Sequence, residues 1–206
     1  DPFGAVSGAN LGWATDSSRD SSGKDWIVSS GLGEGQVRIW SMNGTTRENE
    51  TLLEVPSGST AQFGRAIAID GDVLVVADQD AGANGYLFIY TRNASTNIWS
   101  LAKSIDVSTA TGINGRIGHT GLANVGNQWL AVSGNRIAVG APTEGGNTGQ
   151  VAWFATTTNW ISGTIVSGTF NEPGGYNADS DPYFGASVAI AGNALFVGSP
   201  GADNDG

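Results

Sequence analysis

Short apolar runs alternate with turns rich in Gly, Asn and Ser along the whole chain. Three stretches repeat one pattern, in which a tight turn joins a mixed apolar strand to an almost wholly apolar strand; they are residues 63–77, 129–142 and 184–200. Their turn glycines, Gly71, Gly134 and Gly192, lie 63 and then 58 residues apart. Because Gly readily adopts the positive φ of such turns, each stretch is predicted to be a β-hairpin. Hairpins that recur at one spacing predict an array of similar units.

Two more strands are predicted after a hairpin. Third strands open with Gly and end on an aromatic residue, and they are residues 35–40, 85–90 and 149–154. Outer strands with one Trp each are predicted at residues 97–101 and 159–162. The apolar second strands (73–77, 137–141 and 195–198) indicate sheets covered on both faces, so we expect them in separate, stacked sheets. The fold class is therefore predicted to be all-β, with four-stranded antiparallel units at residues 1–56, 57–113, 114–175 and 176–206, the last one incomplete.

Composition and charge exclude several classes of protein. The 32 Gly residues show no three-residue period, which excludes collagen, and a charged share of 14% is too low for a typical helical protein. The absence of Cys removes disulfides and thiolate zinc sites. With 9 basic and 19 acidic residues the net charge is −10, which repels nucleic acid. No apolar run reaches the roughly 18 residues of a membrane span, and the Ser-, Thr- and Asn-rich exterior predicts a secreted or cell-surface protein.

The ends of the hairpins carry a recognisable motif. Phe184-Gly185 opens the last hairpin, and Val197-Gly198-Ser199-Pro200 closes it. Val139-Gly140-Ala141-Pro142 closes the preceding hairpin, whereas the earliest opens on Phe63-Gly64 and ends on Ala77-Asp78. Together these features resemble the FG-GAP repeat of integrin-α-type β-propellers. The resemblance implies a propeller-type array of blades with interaction surfaces on the loops of one rim, and small residues at the strand end are expected to let neighbouring blades approach.

The fourth unit has a hairpin but no third strand. It is therefore expected to form a half-built sheet with an unpaired edge, which is an aggregation hazard unless another strand covers it. We favour an origin in a longer chain. The alternative is that a neighbouring subunit donates the missing strands, which would link subunits head to tail into a filament.

The resemblance also implies a calcium site. Repeats of this family often carry an Asp-rich loop between the first and second strands, and carboxylate oxygens are the ligands that Ca²⁺ prefers. Asp16, Asp20 and Asp25 occupy this place, which makes Ca²⁺ a candidate cofactor. The stretch departs from the family pattern because it is shorter and is interrupted by Arg19 and Lys24, so a solvated loop is the alternative. The later acidic stretch 78–80 is expected to be plain surface.

Three Asn residues begin sequons for N-glycosylation: Asn43, Asn49 and Asn93. Asn43 and Asn93 each follow an aligned aromatic residue by three positions, so they lie at equivalent exits of a third strand. Such exits are exposed, as glycan attachment requires. We expect glycans at these two positions before Asn49, if the protein follows a glycosylating secretory route.

Groups that could carry catalysis form no recognisable pattern. His119 is the sole histidine and the glutamates lie in polar, turn-rich stretches, so neither a catalytic triad nor a buried carboxylate pair is indicated. The aromatic residues at recurring positions are assigned to packing; they are Trp40, Tyr90, Trp99, Phe154 and Trp160. The predicted function is a non-enzymatic adhesion or structural module with a protein or glycan partner. A self-assembling filament subunit, a carbohydrate-binding propeller, and a hydrolase or lyase on a propeller scaffold stay open as alternatives.

Overall fold

The described part of the chain is all-β. A computed structural model describes residues 11–31, 35–118, 128–173 and 182–201. Sheet 1 contains β1 (Leu11–Arg19), β2 (Asp25–Gly31), β3 (Gln36–Asn43) and β4 (Thr46–Leu52). Sheet 2 contains β5 (Ala66–Asp70), β6 (Val73–Asp78), β7 (Tyr86–Arg92) and β8 (Trp99–Asp106). Sheet 3 contains β9 (Leu130–Ser133), β10 (Arg136–Ala141), β11 (Gln150–Thr156) and β12 (Ile165–Asn171).

The fourth unit is a hairpin, sheet 4, of β13 (Ser187–Ala191) and β14 (Ala194–Gly198). Within the described ranges, two short helical segments, α1 (Val107–Thr111) and α2 (Glu144–Asn147), lie in connections. Every sheet is an antiparallel meander of consecutive strands. The prediction of four-stranded antiparallel units is thus confirmed for the first three. The apolar second strands lie in different sheets, as expected.

Hydrophobic clusters fill the spaces between successive sheets. Leu74 and Val76 of β6 join the cluster shared with sheet 1, whereas Val75 and Ala77 join the cluster shared with sheet 3. Alternate residues of one strand therefore face opposite neighbours, which explains why the strand is apolar throughout. A smaller cluster joins sheet 3 to sheet 4.

Successive sheets meet mainly along their first strands, where β1 lies beside β5, β5 beside β9, and β9 beside β13. Hydrogen bonds support this contact. The N–H of Ile69 donates to Asp16 Oδ2 at 2.9 Å, and the N–H of Gly71 donates to Ser18 Oγ at 2.9 Å. Side chains of β1 thus accept backbone N–H groups of the edge strand β5 and of the turn that follows it, which would otherwise stay unpaired.

The segments before the hairpins of sheets 2, 3 and 4 each insert a buried side chain between two sheets. Phe63 belongs to the cluster between sheets 1 and 2, Ile117 to that between sheets 2 and 3, and Phe184 to that between sheets 3 and 4. The glycine preceding the third strand of the earlier sheet leaves room for it. A Cβ on Gly85 would lie 2.5 Å from Ile117 Cγ1, and one on Gly149 would lie 2.1 Å from Phe184 O. We call this repeated contact the inter-unit junction.

The expected close approach at the end of the second strand is confirmed at Gly140. A Cβ at this position would lie 1.8 Å from the carbonyl oxygen of Gly185 in the next unit. The N–H of Gly185 donates in turn to Gly198 O at 3.0 Å, which ties the Phe-Gly segment to the end of β14. The glycine of the Gly-Ala-Pro motif is therefore required by backbone packing.

The prediction of an outer strand at residues 159–162 is wrong. These residues form a turn because Asn159 Oδ1 accepts the N–H groups of Ile161 and Ser162 at 3.0 and 2.9 Å, and the outer strand begins at Ile165. Trp160 is buried, and its indole N–H donates to Gly134 O at 3.2 Å. The other predicted outer strand exists but begins at Trp99 and runs to Asp106.

Candidate functional site

The turn between β1 and β2 is organised around a buried carboxylate, Asp20. Its Oδ1 accepts the N–H groups of Ser22 and Lys24 at 2.8 and 3.0 Å, and the Ser22 hydroxyl at 2.6 Å. Its Oδ2 accepts the indole N–H of Trp26 at 2.9 Å. Asp20 is 5% exposed, so the turn is closed over it.

Arg92 reaches Asp20 from the end of β7 in the neighbouring sheet. The guanidinium Nη2 lies 2.7 Å from Asp20 Oδ2 and 2.5 Å from Asp72 Oδ1, while Nη1 donates to Asn97 Oδ1 at 2.7 Å. The guanidinium also lies 5.1 Å from the ring centre of Trp26. The side chains of Asp20 and Arg92 are 0% and 2% exposed, so this is a buried ion pair between two sheets.

The pKa of Asp20 reflects two opposing effects. Burial raises the pKa, but the hydrogen bonds from Ser22, Trp26 and Lys24 outweigh burial and hold the pKa well below its usual range. Asp20 is therefore ionised at neutral pH. Its oxygens are engaged by donors of the chain itself, which gives this residue a structural role.

The other two calcium candidates lie in strands, away from a common centre. Asp16 is in β1 and accepts the N–H groups of Ile69 and Ser17. These hydrogen bonds lower its pKa, but burial has the larger effect and raises the pKa above its ordinary value. Asp25 begins β2 and pairs with Arg19, with Arg19 Nε and Asp25 Oδ1 2.6 Å apart; this hydrogen bond lowers the pKa of Asp25. Among the described residues, no group of three or more His, Asp or Glu side chains could hold a metal ion.

Calcium binding by Asp16, Asp20 and Asp25 stays a prediction. A bound cation would have to displace Arg19 from Asp25. That exposed ion pair opens more easily than the buried pair of Asp20 with Arg92. Titration calorimetry with CaCl₂ tests this, with wild type compared with Asp25→Asn. Because donors of the chain already engage Asp20 and Asp25, we expect no saturable heat for either protein. Heat that saturates for wild type and is absent for Asp25→Asn would contradict this expectation and establish calcium binding.

The three sequon asparagines have different surroundings. Asn93 is exposed, and its Oδ1 accepts the N–H groups of Ser95 and Thr96 at 2.9 and 3.2 Å, whereas its amide nitrogen makes no hydrogen bond to a described residue. The amide nitrogen of Asn43 donates to Glu48 Oε1 at 3.1 Å. That of Asn49 donates to Ser41 Oγ at 3.0 Å, and Asn49 has a φ of 51°. A glycan on Asn93 therefore disturbs the fewest native bonds.

In a glycosylating eukaryotic host, we expect Asn93 to carry a glycan more fully than Asn49. Intact mass measurement should show that Asn93→Gln removes one glycan, whereas Asn49→Gln leaves the mass distribution nearly unchanged. Ser95→Ala is the matched control, because it removes the same sequon and keeps the asparagine. Equal occupancy at all three positions would contradict this order.

The expectation that residues 78–80 are plain surface is wrong for Gln79, which is 8% exposed, and for Asp78. The Asp78 side chain is fully buried, and it accepts the N–H and hydroxyl of Thr60 at 2.6 and 2.7 Å. The N–H groups of Asp80 and Ala81 also donate to it, each at 3.1 Å. Asp78 is the last residue of β6, at the position where the third and fourth units have Pro. Its hydrogen bonds tie the segment before β5 to the loop after β6.

A largely apolar cleft of about 270 Å³ lies between sheet 3 and the hairpin of sheet 4. Trp153, Phe170 and Leu195 contribute to its walls, and among the described residues Arg136 is the one charged side chain that lines it. The rings of Trp153 and Phe170 lie 6.4 Å apart, between centroids, as a tilted pair. The described residues that line the cleft include no pair of carboxylates, the acid groups that glycoside hydrolysis uses.

Sequence reasoning located some of these residues and missed others. The aromatic residues assigned to packing are all buried: Trp40, Tyr90, Trp99, Phe154 and Trp160. Arg92 and Trp153 were not singled out. For Trp153 the available signal was its alternation with Ala152 and Phe154, which places it on the opposite face of β11. His119 lies outside the described residues.

Two comparisons of the sequence with known proteins found no match. No protein-family model matches the chain, and no curated protein sequence matches it. Within the described ranges, every helix is too short to cross a bilayer.

Proposed function

We propose that this chain is a non-catalytic adhesion or structural module of an extracellular protein, built as a propeller-type array of FG-GAP-like units. The inter-unit junction carries this proposal. At each of the three contacts between successive sheets, one buried side chain lies at the equivalent position: Phe63, Ile117 or Phe184. A contact that recurs in this way indicates that the repeated residues serve packing between units. In repeat proteins, recognition is then carried by loops and exposed surfaces.

The meander places the loops at two opposite ends of each sheet. One end, the turn rim, carries the turns between first and second strands and between third and fourth strands, including Asn43 and Asn93. The other end, the junction rim, carries the connections between second and third strands and between units. Glycans on Asn43 and Asn93 would cover the turn rim. We therefore assign the partner surface to the junction rim.

The junction rim offers exposed polar groups close to the junctions. Arg116 and Asp80 are exposed, and Arg116 Nη1 lies 3.5 Å from Asp80 Oδ1. An exposed pair of this kind separates at little cost, which leaves both groups available to a partner. The net charge of −10 favours a protein or a neutral glycan over a polyanion.

Binding to a glycan array and to cultured cells tests the proposal. We expect saturable binding that Arg116→Glu weakens by about tenfold through a changed rim charge. Arg19→Glu is the matched control, because Arg19 is an exposed arginine paired with one aspartate at the turn rim. Its binding should equal that of wild type.

Two results would contradict this proposal. Absence of binding to any glycan or cell would remove the adhesion function. Release of soluble sugar products from the array would indicate a hydrolase or lyase instead.

A further inference from the structure

Arg65 and Arg116 of the junction rim differ from other arginines of the chain. Three arginines are each hydrogen-bonded to a carboxylate of the chain: Arg19, Arg38 and Arg92. The side chain of Arg65 donates no hydrogen bond to a described residue. Arg116 Nη1 lies 3.5 Å from Asp80 Oδ1, which is too long for a strong hydrogen bond. Both guanidiniums therefore have donors that an acceptor of a partner can engage.

Trp13 of the first unit orients Arg65. The guanidinium carbon of Arg65 lies 4.5 Å from the ring centre of Trp13, which is a cation–π contact between two units. Arg65 is half-buried there, and burial lowers its pKa while the charge of Asp80 acts in the opposite direction. An arginine keeps its charge at neutral pH despite such a shift. Arg65 is thus a charged group whose position is set before a partner binds, which reduces the cost of binding.

Asp80 interacts with both arginines. Its carboxylate contacts Arg116, and its charge acts on Arg65. The side chains of Asp80 and Arg116 are 37% and 46% exposed, so solvent screens their pairing and the pair opens at little cost. Two further carboxylates of this rim accept backbone N–H groups of the chain: those of Asp78 and Glu144. Asp80 is thus the carboxylate of this group that a carboxylate from a partner can replace.

The group lies at two junctions within the array. Arg65 follows Phe63 by two residues at the junction between sheets 1 and 2, and Arg116 directly precedes Ile117 at the junction between sheets 2 and 3. Each of these three sheets has four strands. The placement of the two arginines therefore does not depend on what packs against the outermost sheets.

We propose that Arg65 and Arg116 bind a carboxylate from an acidic segment of a partner protein, which takes the place of Asp80. Hydrogen bonds between guanidinium and carboxylate are charge-assisted and directional, so they suit recognition at a rim. The inference rests on the proposed function, because it names the chemistry of the partner of the junction rim. A segment with a few acidic side chains is favoured over an acidic polysaccharide, because a net charge of −10 repels a polyanion. A sugar ring also finds the face of Trp13 beneath Arg65 covered.

NMR titration of the 206-residue chain tests the proposal, with the peptide acetyl-Ala-Asp-Ala-amide as the probe. We expect the Nε–Hε signals of Arg65 and Arg116 to shift and to saturate as the peptide is added. The matched peptide acetyl-Ala-Asn-Ala-amide keeps the shape and removes the charge, so it should leave these signals in place.

Variants of the chain separate this site from non-specific attraction. Arg65→Gln and Arg116→Gln should each weaken binding of the aspartyl peptide by about fivefold, since each removes one charged donor. Arg19→Gln is the matched control, because this exposed arginine pairs with one aspartate at the turn rim, and it should leave binding unchanged. Asp80→Asn should strengthen binding by about threefold, since it removes the competing carboxylate. A variant that merely fails to fold cannot bind more tightly.

Three results would overturn the proposal: unshifted arginine signals, equal weakening by Arg19→Gln, or weaker binding by Asp80→Asn. Saturable shifts with sialyllactose at lower concentration than with the peptide would assign the site to an acidic glycan and overturn the protein partner. Unshifted signals together with cell binding that Arg116→Glu weakens would remove carboxylate recognition and leave the adhesion function standing. Peptide binding without any cell binding would support the carboxylate site and remove the adhesion function alone.

Discussion

Replacing Asp20 with alanine is expected to lower the free energy of unfolding by about 3–5 kcal/mol, the usual cost of removing one partner from a buried ion pair. The substitution leaves Arg92 buried with a single carboxylate, Asp72, whose side chain is 35% exposed. It also leaves the N–H groups of Ser22 and Lys24 without their acceptor. Chemical denaturation monitored by Trp fluorescence measures the loss.

Asp25→Ala is the matched control for this prediction. It removes an aspartate from the same hairpin, but its partner Arg19 is exposed, with a side chain 68% accessible. The denaturation midpoint should therefore stay close to that of wild type, because exposed ion pairs contribute little. Equal losses in the two variants would show that the Asp20–Arg92 pair does not hold the two sheets together.

The lowered pKa of Asp20, which the hydrogen bonds from Ser22, Trp26 and Lys24 cause, predicts a pH dependence. The folded-state pKa of Asp20 is lowered from its ordinary value of 3.8, so ionised Asp20 stabilises the fold above that value. This contribution is lost as the pH falls through the folded-state pKa. The difference in stability between wild type and Asp20→Ala should be constant from about pH 5 to 7 and should narrow below about pH 4. A difference that grows on acidification would contradict the assignment.

Replacing Gly140 with alanine is expected to cost about 3 kcal/mol, near the upper end for overpacked sites. The added Cβ would lie 1.8 Å from the carbonyl oxygen of Gly185. The obstacle is backbone, so no side-chain rotation relieves it, and sheets 3 and 4 have to separate. Hydrogen exchange should show faster exchange of the Gly185 amide, which donates to Gly198 O in the native structure.

Gly134→Ala is the control for steric overlap. Nothing lies within 4 Å of a Cβ at Gly134, although its φ of 53° makes any side chain strained. We expect a cost of about 1 kcal/mol from that strain and no change at the Gly185 amide. Because both variants change Gly to Ala, the effect on the entropy of the unfolded chain is similar and does not enter the comparison. Similar costs for both variants would argue against the close approach of the units.

The hairpins could be predicted from the sequence because their determinants are local. A turn glycine, such as Gly71 or Gly134, and the apolar pattern on each side of it lie within about fifteen residues. The covered second strands could also be predicted, since a continuous apolar run excludes a solvated face. The outer strand at 159–162 was wrong because the side chain of Asn159 competes for the backbone N–H groups and forms a turn.

The candidate site could be located only in part. Asp20 was singled out as an acidic residue of a turn, but the sequence offered no sign of its partner. Arg92 lies at the end of a strand in another unit, and nothing in its local pattern distinguishes it from a solvated arginine. Asp78 was assigned to the surface for the same reason, since its donors include Thr60, eighteen residues earlier.

The sequence by itself determined that this chain forms short antiparallel strands in repeated units, because alternation, turn glycines and repeat spacing act over a few residues at a time. Only the tertiary structure decided which polar groups meet between distant segments. Pairing of Asp20 with Arg92 depends on how whole sheets stack. That stacking is set by the sum of many weak contacts between distant segments, which no single stretch of sequence contains.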